Sequence, residues 1–203
     1  MSNPIPDLPI LGEPLIAEFA NTLYVDRSQR LDVLDHPAWI SAWLQQAPCA
    51  AGLGAPRRVS AEDAARLLVL RDALRTLLTR RSDTGCTAEI AIINEAAQST
   101  ARRVLTVTAA GELAVADGAR PSGIDVVLSA IAGQVIDAVA SETLLLNQTC
   151  SRPDCNLFYF RDHHRRRYCN MRCANADRQA RYHTRLAAHS TLIVGAPNHT
   201  PQP

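Results

Sequence analysis

Four of the chain's six cysteines, Cys150, Cys155, Cys169 and Cys173, are spaced C-x4-C-x13-C-x3-C. Two close pairs separated by a loop of this length can set four thiolates at the corners of a tetrahedron around one zinc ion. The spacing constrains the fold because a segment of about 40 residues cannot build a sufficient core alone and has to be closed by its metal. Pro153 and Asp154 place a tight turn inside the first pair, bringing its sulfurs to one point. The second pair leads directly into residues 174–185, which read as a helix. A ligand pair on a turn and another at a helix N-terminus, joined by a short hairpin, is the layout of a treble-clef-like zinc finger. The alternatives, a disulfide pair or ordinary buried cysteines, find no support in a chain with no sign of an oxidising compartment. Cys49 and Cys86 lie outside the cluster and read as small buried hydrophobes or inert surface thiols.

The same stretch is the most basic part of the protein. Net charge is only +1, but residues 1–149 hold 12 Arg against 17 Asp plus Glu, a balance of −5, whereas residues 150–185 hold 9 Arg against 3 Asp, a balance of +6. An acidic body bearing a basic finger points to an anionic partner, with duplex DNA first. On the last helix Asn175, Arg178, Arg181 and Arg185 form one stripe, and Ala176, Ala180, His183 and Ala187 form the opposite one, expected to pack on the zinc core. Arg165, Arg166 and Arg167 on the preceding loop, with Arg172, extend the cationic set. Guanidinium groups and an amide suit phosphates and base edges; the competing reading is a merely solvated basic helix. Phe158, Tyr159 and Phe160 supply either base-stacking faces or the small core that a finger has. His163 and His164 are alternative metal ligands only if a cysteine is displaced. No catalytic motif is visible, so the chain is not expected to be an enzyme.

The first 146 residues read as a mainly α-helical unit. Residues 15–23 form a short apolar helix closing on Asn21 and Thr22, and a loop is expected over residues 26–30. Pro37 opens a second helix that carries Trp39, Ile40, Trp43 and Leu44. A loop spans residues 48–59. Ser60 then caps a third helix on which Leu67, Leu70, Leu74 and Leu78 recur at helical spacing, while Arg66, Arg71, Arg75, Arg80 and Arg81 read as a solvated face. Residues 88–98 are helical, and residues 103–108 and 112–116 alternate as a β-hairpin around Gly111. A long helix over 123–146, with Ile124, Leu128, Ile131, Val135 and Val139 on one face, reads as the central buried element, and Ala132, Gly133 and Ala138 would permit close approach of a neighbour. Asn21 and Thr22 are a polar pair in an apolar stretch; with Trp39 or Trp43 as a wall they could face a small-molecule pocket, or Asn21 could simply cap its helix. The N-terminus lacks a basic n-region and no apolar run is long enough for a bilayer, so a cytoplasmic protein with no membrane association is expected.

Residues 150–185 resemble the CGNR zinc finger, whose signature is C-x4-C, an aromatic, an arginine run and C-x3-C-G-N-R. Here the tetrad is Cys173-Ala174-Asn175-Ala176, so the glycine and arginine of the signature are both alanine. The F-x-N-T-L element at Phe19 to Leu23, followed by the tryptophan helix, resembles the start of the ABATE domain, the usual companion of that finger. The resemblance implies a bacterial DNA-binding transcription regulator with a ligand- or stress-sensing N-terminal domain. The fold expected is mainly α with a small β-hairpin: a helical domain over 1–146, a four-cysteine finger over 147–190 and a flexible tail over 191–203. Zn2+, duplex DNA and a small-molecule effector are the expected partners, and the oligomeric state, a homodimer included, stays open. The competing classes are a zinc-stabilised adaptor for protein or RNA and a small-molecule-binding protein or enzyme using the N-terminal pocket.

Overall fold

The computed structural model describes residues 5–26, 28–47, 50, 53, 54, 56, 58–80, 85–98, 103–108, 111–117 and 122–194. The fold is mainly helical. Its elements are α1 (Leu15–Ala20), β1 (Leu23–Asp26), β2 (Gln29–Asp32), α2 (Pro37–Gln46), α3 (Ala61–Arg80), α4 (Thr87–Ala97), β3 (Arg103–Val107), β4 (Leu113–Asp117), α5 (Ile124–Ala140), β5 (Asn147–Thr149), β6 (Phe158–Phe160) and α6 (Met171–Val194). The strands make three antiparallel pairs, β1 with β2, β3 with β4 and β5 with β6.

Local signals act as the sequence dictates. Pro37 stands in the first turn of α2, where its missing N–H costs nothing. Ser60 and Asp63 cap α3 reciprocally: the Asp63 N–H donates to Ser60 Oγ and the Ser60 N–H to an Asp63 carboxylate oxygen, each at 3.0 Å. Gly111 turns the β3–β4 hairpin at a φ of +82°, which a side chain would strain. Two elements differ from expectation. Where a loop was expected, Asp26 pairs with Gln29 and Val25 with Arg30 at the end of the β1–β2 hairpin; Gln29 and Arg30 are exposed, so β2 shows no alternating pattern by which it could be recognised. The long helix stops at Ala140, because Glu142 takes a left-handed φ of +58° through which a right-handed helix cannot continue, and a 3-10 turn over Thr143–Leu146 follows.

α1 is buried along its whole length and α5 buries Ile124, Val127, Leu128, Ile131, Ala132, Val135 and Ala138 over it. Val139 lies outside that face and is exposed, and open space surrounds the Cβ position of Gly133. Phe19 and Trp43 meet with ring centroids 6.0 Å apart in the centre. Arg71 departs most from a solvated face. It is 1% exposed and binds the carboxylates of Asp32 and Asp72. Arg75 reaches the carbonyls of Ala20 at 2.6 Å and Leu23 at 3.3 Å, and burial lowers its pKa to about 10. Arg66 pairs with Asp125 at the surface. Arg81, Cys49 and the tail residues 195–203 lie outside the described residues, while α6 continues through residues 191–194, where a tail was expected.

The apolar core does not stop at residue 146. Cys150, Leu157, Phe158, Tyr159, Cys169 and Cys173 belong to the same cluster of buried side chains as α1, α2, α3 and α5.

Candidate metal centre and nucleic-acid interface

β5 and β6 pair in the register Asn147 with Phe160, Gln148 with Tyr159 and Thr149 with Phe158, which sets Cys150 at the strand end. The Cys150 N–H donates to the Leu157 carbonyl at 2.9 Å, and the Cys155 N–H closes the intervening turn on Arg152 at 3.0 Å. Asn170 starts α6: its side-chain oxygen accepts from the Cys173 N–H at 3.0 Å. Cys173 therefore stands in the first turn of a long helix.

The four sulfurs lie within 4.8 Å of one another. Sγ of Cys169 is 3.8 Å from that of Cys155 and 3.6 Å from that of Cys173. A tetrahedron with metal–sulfur bonds of about 2.3 Å has edges of about 3.8 Å, so these spacings fit a four-thiolate zinc site. They are far outside bonding distance for a disulfide, about 2.05 Å. Hydrogen bonding from Cys155 and Cys169 draws the Cys150 pKa down. The same sharing with Cys150 pushes Cys155 and Cys169 up. The shared hydrogen bonds thus set these thiols against one another, a conflict that a divalent cation bound by the cluster would remove. His163 and His164 stack on each other at the exposed surface, 4.4 Å between centroids, and do not belong to the cluster.

The expected ligand-pocket residues are placed elsewhere in the chemistry of the molecule. Asn21 is fully buried at the C-terminal end of α1. Its amide donates to the Phe158 carbonyl at 2.9 Å and its oxygen accepts from the Phe158 N–H at 2.7 Å, in effect adding a strand edge to β6. Thr22 Oγ1 donates to the Phe19 carbonyl, and Trp43 is closed against Phe19. Four further contacts, made by Glu13 and Arg75, fix the finger, and sequence reasoning missed them. Glu13 accepts from the Phe160 N–H at 2.9 Å and from the Arg166 guanidinium. Arg75 lies over the Phe158 ring, 5.0 Å from its centroid, and also reaches the Asn156 carbonyl. Phe158 and Tyr159 are core residues of the finger.

The arginines divide into two groups. Arg166 is turned inward, over the Tyr159 ring at 4.9 Å, and donates to the carbonyls of Phe160, Tyr168 and Cys169, so the expectation of a nucleic-acid contact there meets a brace instead. Arg165, Arg167, Arg172, Asn175, Arg178, Arg181 and Arg185 are exposed. Arg181 pairs with Asp177 at 2.8 Å, whose other partner is the Tyr168 hydroxyl at 2.6 Å. Ala174 is helical, so the signature glycine is not required there. The small-residue stripe packs only at its start: Ala176 is half-buried, whereas Ala180, His183 and Ala187 are exposed. α6 therefore leaves the finger core after about two turns and presents arginines on a helix exposed around its circumference through residue 187.

Two family models match. One, ABATE, described as putative stress-induced transcription regulator, covers residues 13–142. The chain belongs to the ABATE family. The other, the CGNR zinc finger, covers residues 148–186 and contains all four clustered cysteines. No curated protein matches the chain. In this ABATE protein the matched segments are separated only by residues 143–147, the 3-10 turn and the first residue of β5.

Proposed function

We propose that this protein is a cytoplasmic DNA-binding transcription regulator without catalytic activity. One zinc ion on Cys150, Cys155, Cys169 and Cys173 folds its finger, and the N-terminal domain senses a small molecule. The observation that carries the reading is the exposed cationic set on α6 and its preceding loop, set against an acidic body. Arg165, Arg167, Arg172, Arg178, Arg181 and Arg185 are the phosphate- and base-contacting residues, with Asn175 beside them; Arg166 holds the platform from which they project. No helix among the described residues is long and apolar enough to cross a membrane.

The test is a titration of duplex DNA at several salt concentrations with wild type and an Arg178/Arg181/Arg185 triple alanine. Each lost phosphate contact lowers the slope of log affinity against log salt by about one unit. A lost bidentate base contact costs about 1–3 kcal/mol and relaxes sequence preference. Coincident curves for the two proteins would refute the DNA reading.

A further inference from the structure

The helical domain contains a cavity of about 710 Å³ between α3, α4, the C-terminal half of α5 and the 3-10 turn that follows. Its wall is made chiefly by Leu77, Ile90, Val135, Ile136, Val139 and Leu145. Ile90, Ile136, Val139 and Leu145 are each substantially exposed, Val139 by 55%. Singly such residues need no explanation, but gathered around one concavity they form an apolar site of a size that holds small molecules, about 300–1,000 Å³.

The polar groups in the lining are few and one-sided. They are the Asn94 amide and the Glu142 carboxylate, and Ala140, the last residue of α5, brings the carbonyl end of that helix to the same place. A helix C-terminus carries partial negative charge, so it adds to the carboxylate. Among the described residues, no lining residue is basic. Glu142 is also one of two non-glycine residues among those described with a positive φ, +58°. Few side chains adopt that conformation, and here it turns the chain from α5 toward the finger.

We propose that this cavity is the effector site and that it takes a lipophilic cation, an apolar body with an ammonium-type head beside Glu142. The proposal rests on the reading of the N-terminal domain as a sensor and gives that sensor a site other than Asn21. The site also has a mechanical route outward. Leu144 and Leu145 line it, Leu146 closes the 3-10 turn, and β5 follows and ends at Thr149, next to Cys150. A ligand packed against the 3-10 turn fixes the strand that carries the first metal ligand.

The experiment uses the full-length, zinc-loaded protein and two single-chain probes below their micelle concentrations, decyltrimethylammonium and decyl sulfate. Calorimetry should show one saturable site for the cation and weaker binding of the anion. Val139→Arg, at an exposed position where folding is not at risk, should abolish the cation's binding. Glu142→Gln should weaken it about threefold, the scale of a partly solvated ion pair. Saturation with the cation should slow the withdrawal of zinc by a chelator in wild type and leave Val139→Arg unaffected. Anion binding as tight as the cation's, or cation binding that survives Val139→Arg, would overturn the site. So would self-association of the probe-free protein that Val139→Arg abolishes, since the groove would then belong to a second copy. Binding with an unchanged zinc-release rate would overturn the coupling. Neither readout uses DNA, so both stay separable from the outcome of the DNA titration.

Discussion

Removing the Asn21 side chain should loosen the finger without touching a cysteine. Asn21 satisfies both backbone groups of Phe158, at 2.9 and 2.7 Å, in a fully buried setting. Asn21→Ala leaves one N–H and one carbonyl without partners. Each such buried group costs about 1–3 kcal/mol, so the loss should be roughly 2–6 kcal/mol. Alanine fits the local backbone, φ −79° and ψ −4°, so the cost falls on the docking contact and not on α1. Phe158 pairs with Thr149, which precedes Cys150, so the first cysteine pair should also be held less firmly. Urea denaturation of zinc-loaded wild type and variant gives the magnitude, and hydrogen exchange at Phe158 gives the location. Asn21→Asp keeps an acceptor for the Phe158 N–H but sets a second oxygen against its carbonyl, so its loss should be comparable or larger. An alanine variant destabilised by less than about 1 kcal/mol, with Phe158 exchange unchanged, would refute the docking role.

Three further outcomes follow from other buried or signature positions. Burial raises the Glu18 pKa above 4.5, against hydrogen bonds from the Glu13 and Leu11 N–H groups that lower it. A carboxyl raised on folding stabilises below its unfolded pKa, and that contribution is lost as pH rises through the folded value. Urea midpoints of Glu18→Gln should therefore gain on wild type with rising pH above 4.5; a pH-independent difference would contradict this. Arg71→Ala should cost about 3–5 kcal/mol, because it strands the Asp32 carboxylate, which is itself largely buried; a loss under about 1 kcal/mol in the same assay would contradict a buried pair. Ala176→Arg restores the signature arginine on the helix and should strengthen duplex binding, steepening the salt slope by about one unit; an unchanged slope would place that residue off the DNA.

Short-range chemistry was legible in the sequence. The cysteine spacing anticipated a cluster whose sulfur separations suit one metal ion, and the Ser60 cap and Gly111 turn needed only neighbouring residues. Arg71 carried a readable signal, since it lies on the stripe of Leu67, Leu74 and Leu78 and was set apart only by its charge. What could not be read was long-range pairing. Asn21 meets Phe158 across 137 positions and Glu13 meets Arg166 across 153. An asparagine that completes a strand edge has the same local pattern as one that caps a helix or faces a pocket. Arg166 likewise sits in a run with Arg165 and Arg167, and only the fold decides which of the three turns inward. The extent of α6 packing was also hidden, because an alanine stripe looks the same whether or not a core lies beneath it.

In the proposed function a metal ion on four cysteines organises the arginine-bearing helix for DNA. The most direct measurement is the affinity of one protein preparation for duplex DNA at fixed salt, before metal removal, after it and after zinc is returned. DNA binding should fall on removal and return with one equivalent of zinc per chain, because the cysteine cluster and the start of α6 share Cys173. Equal affinity of the metal-free and zinc-loaded protein would contradict it.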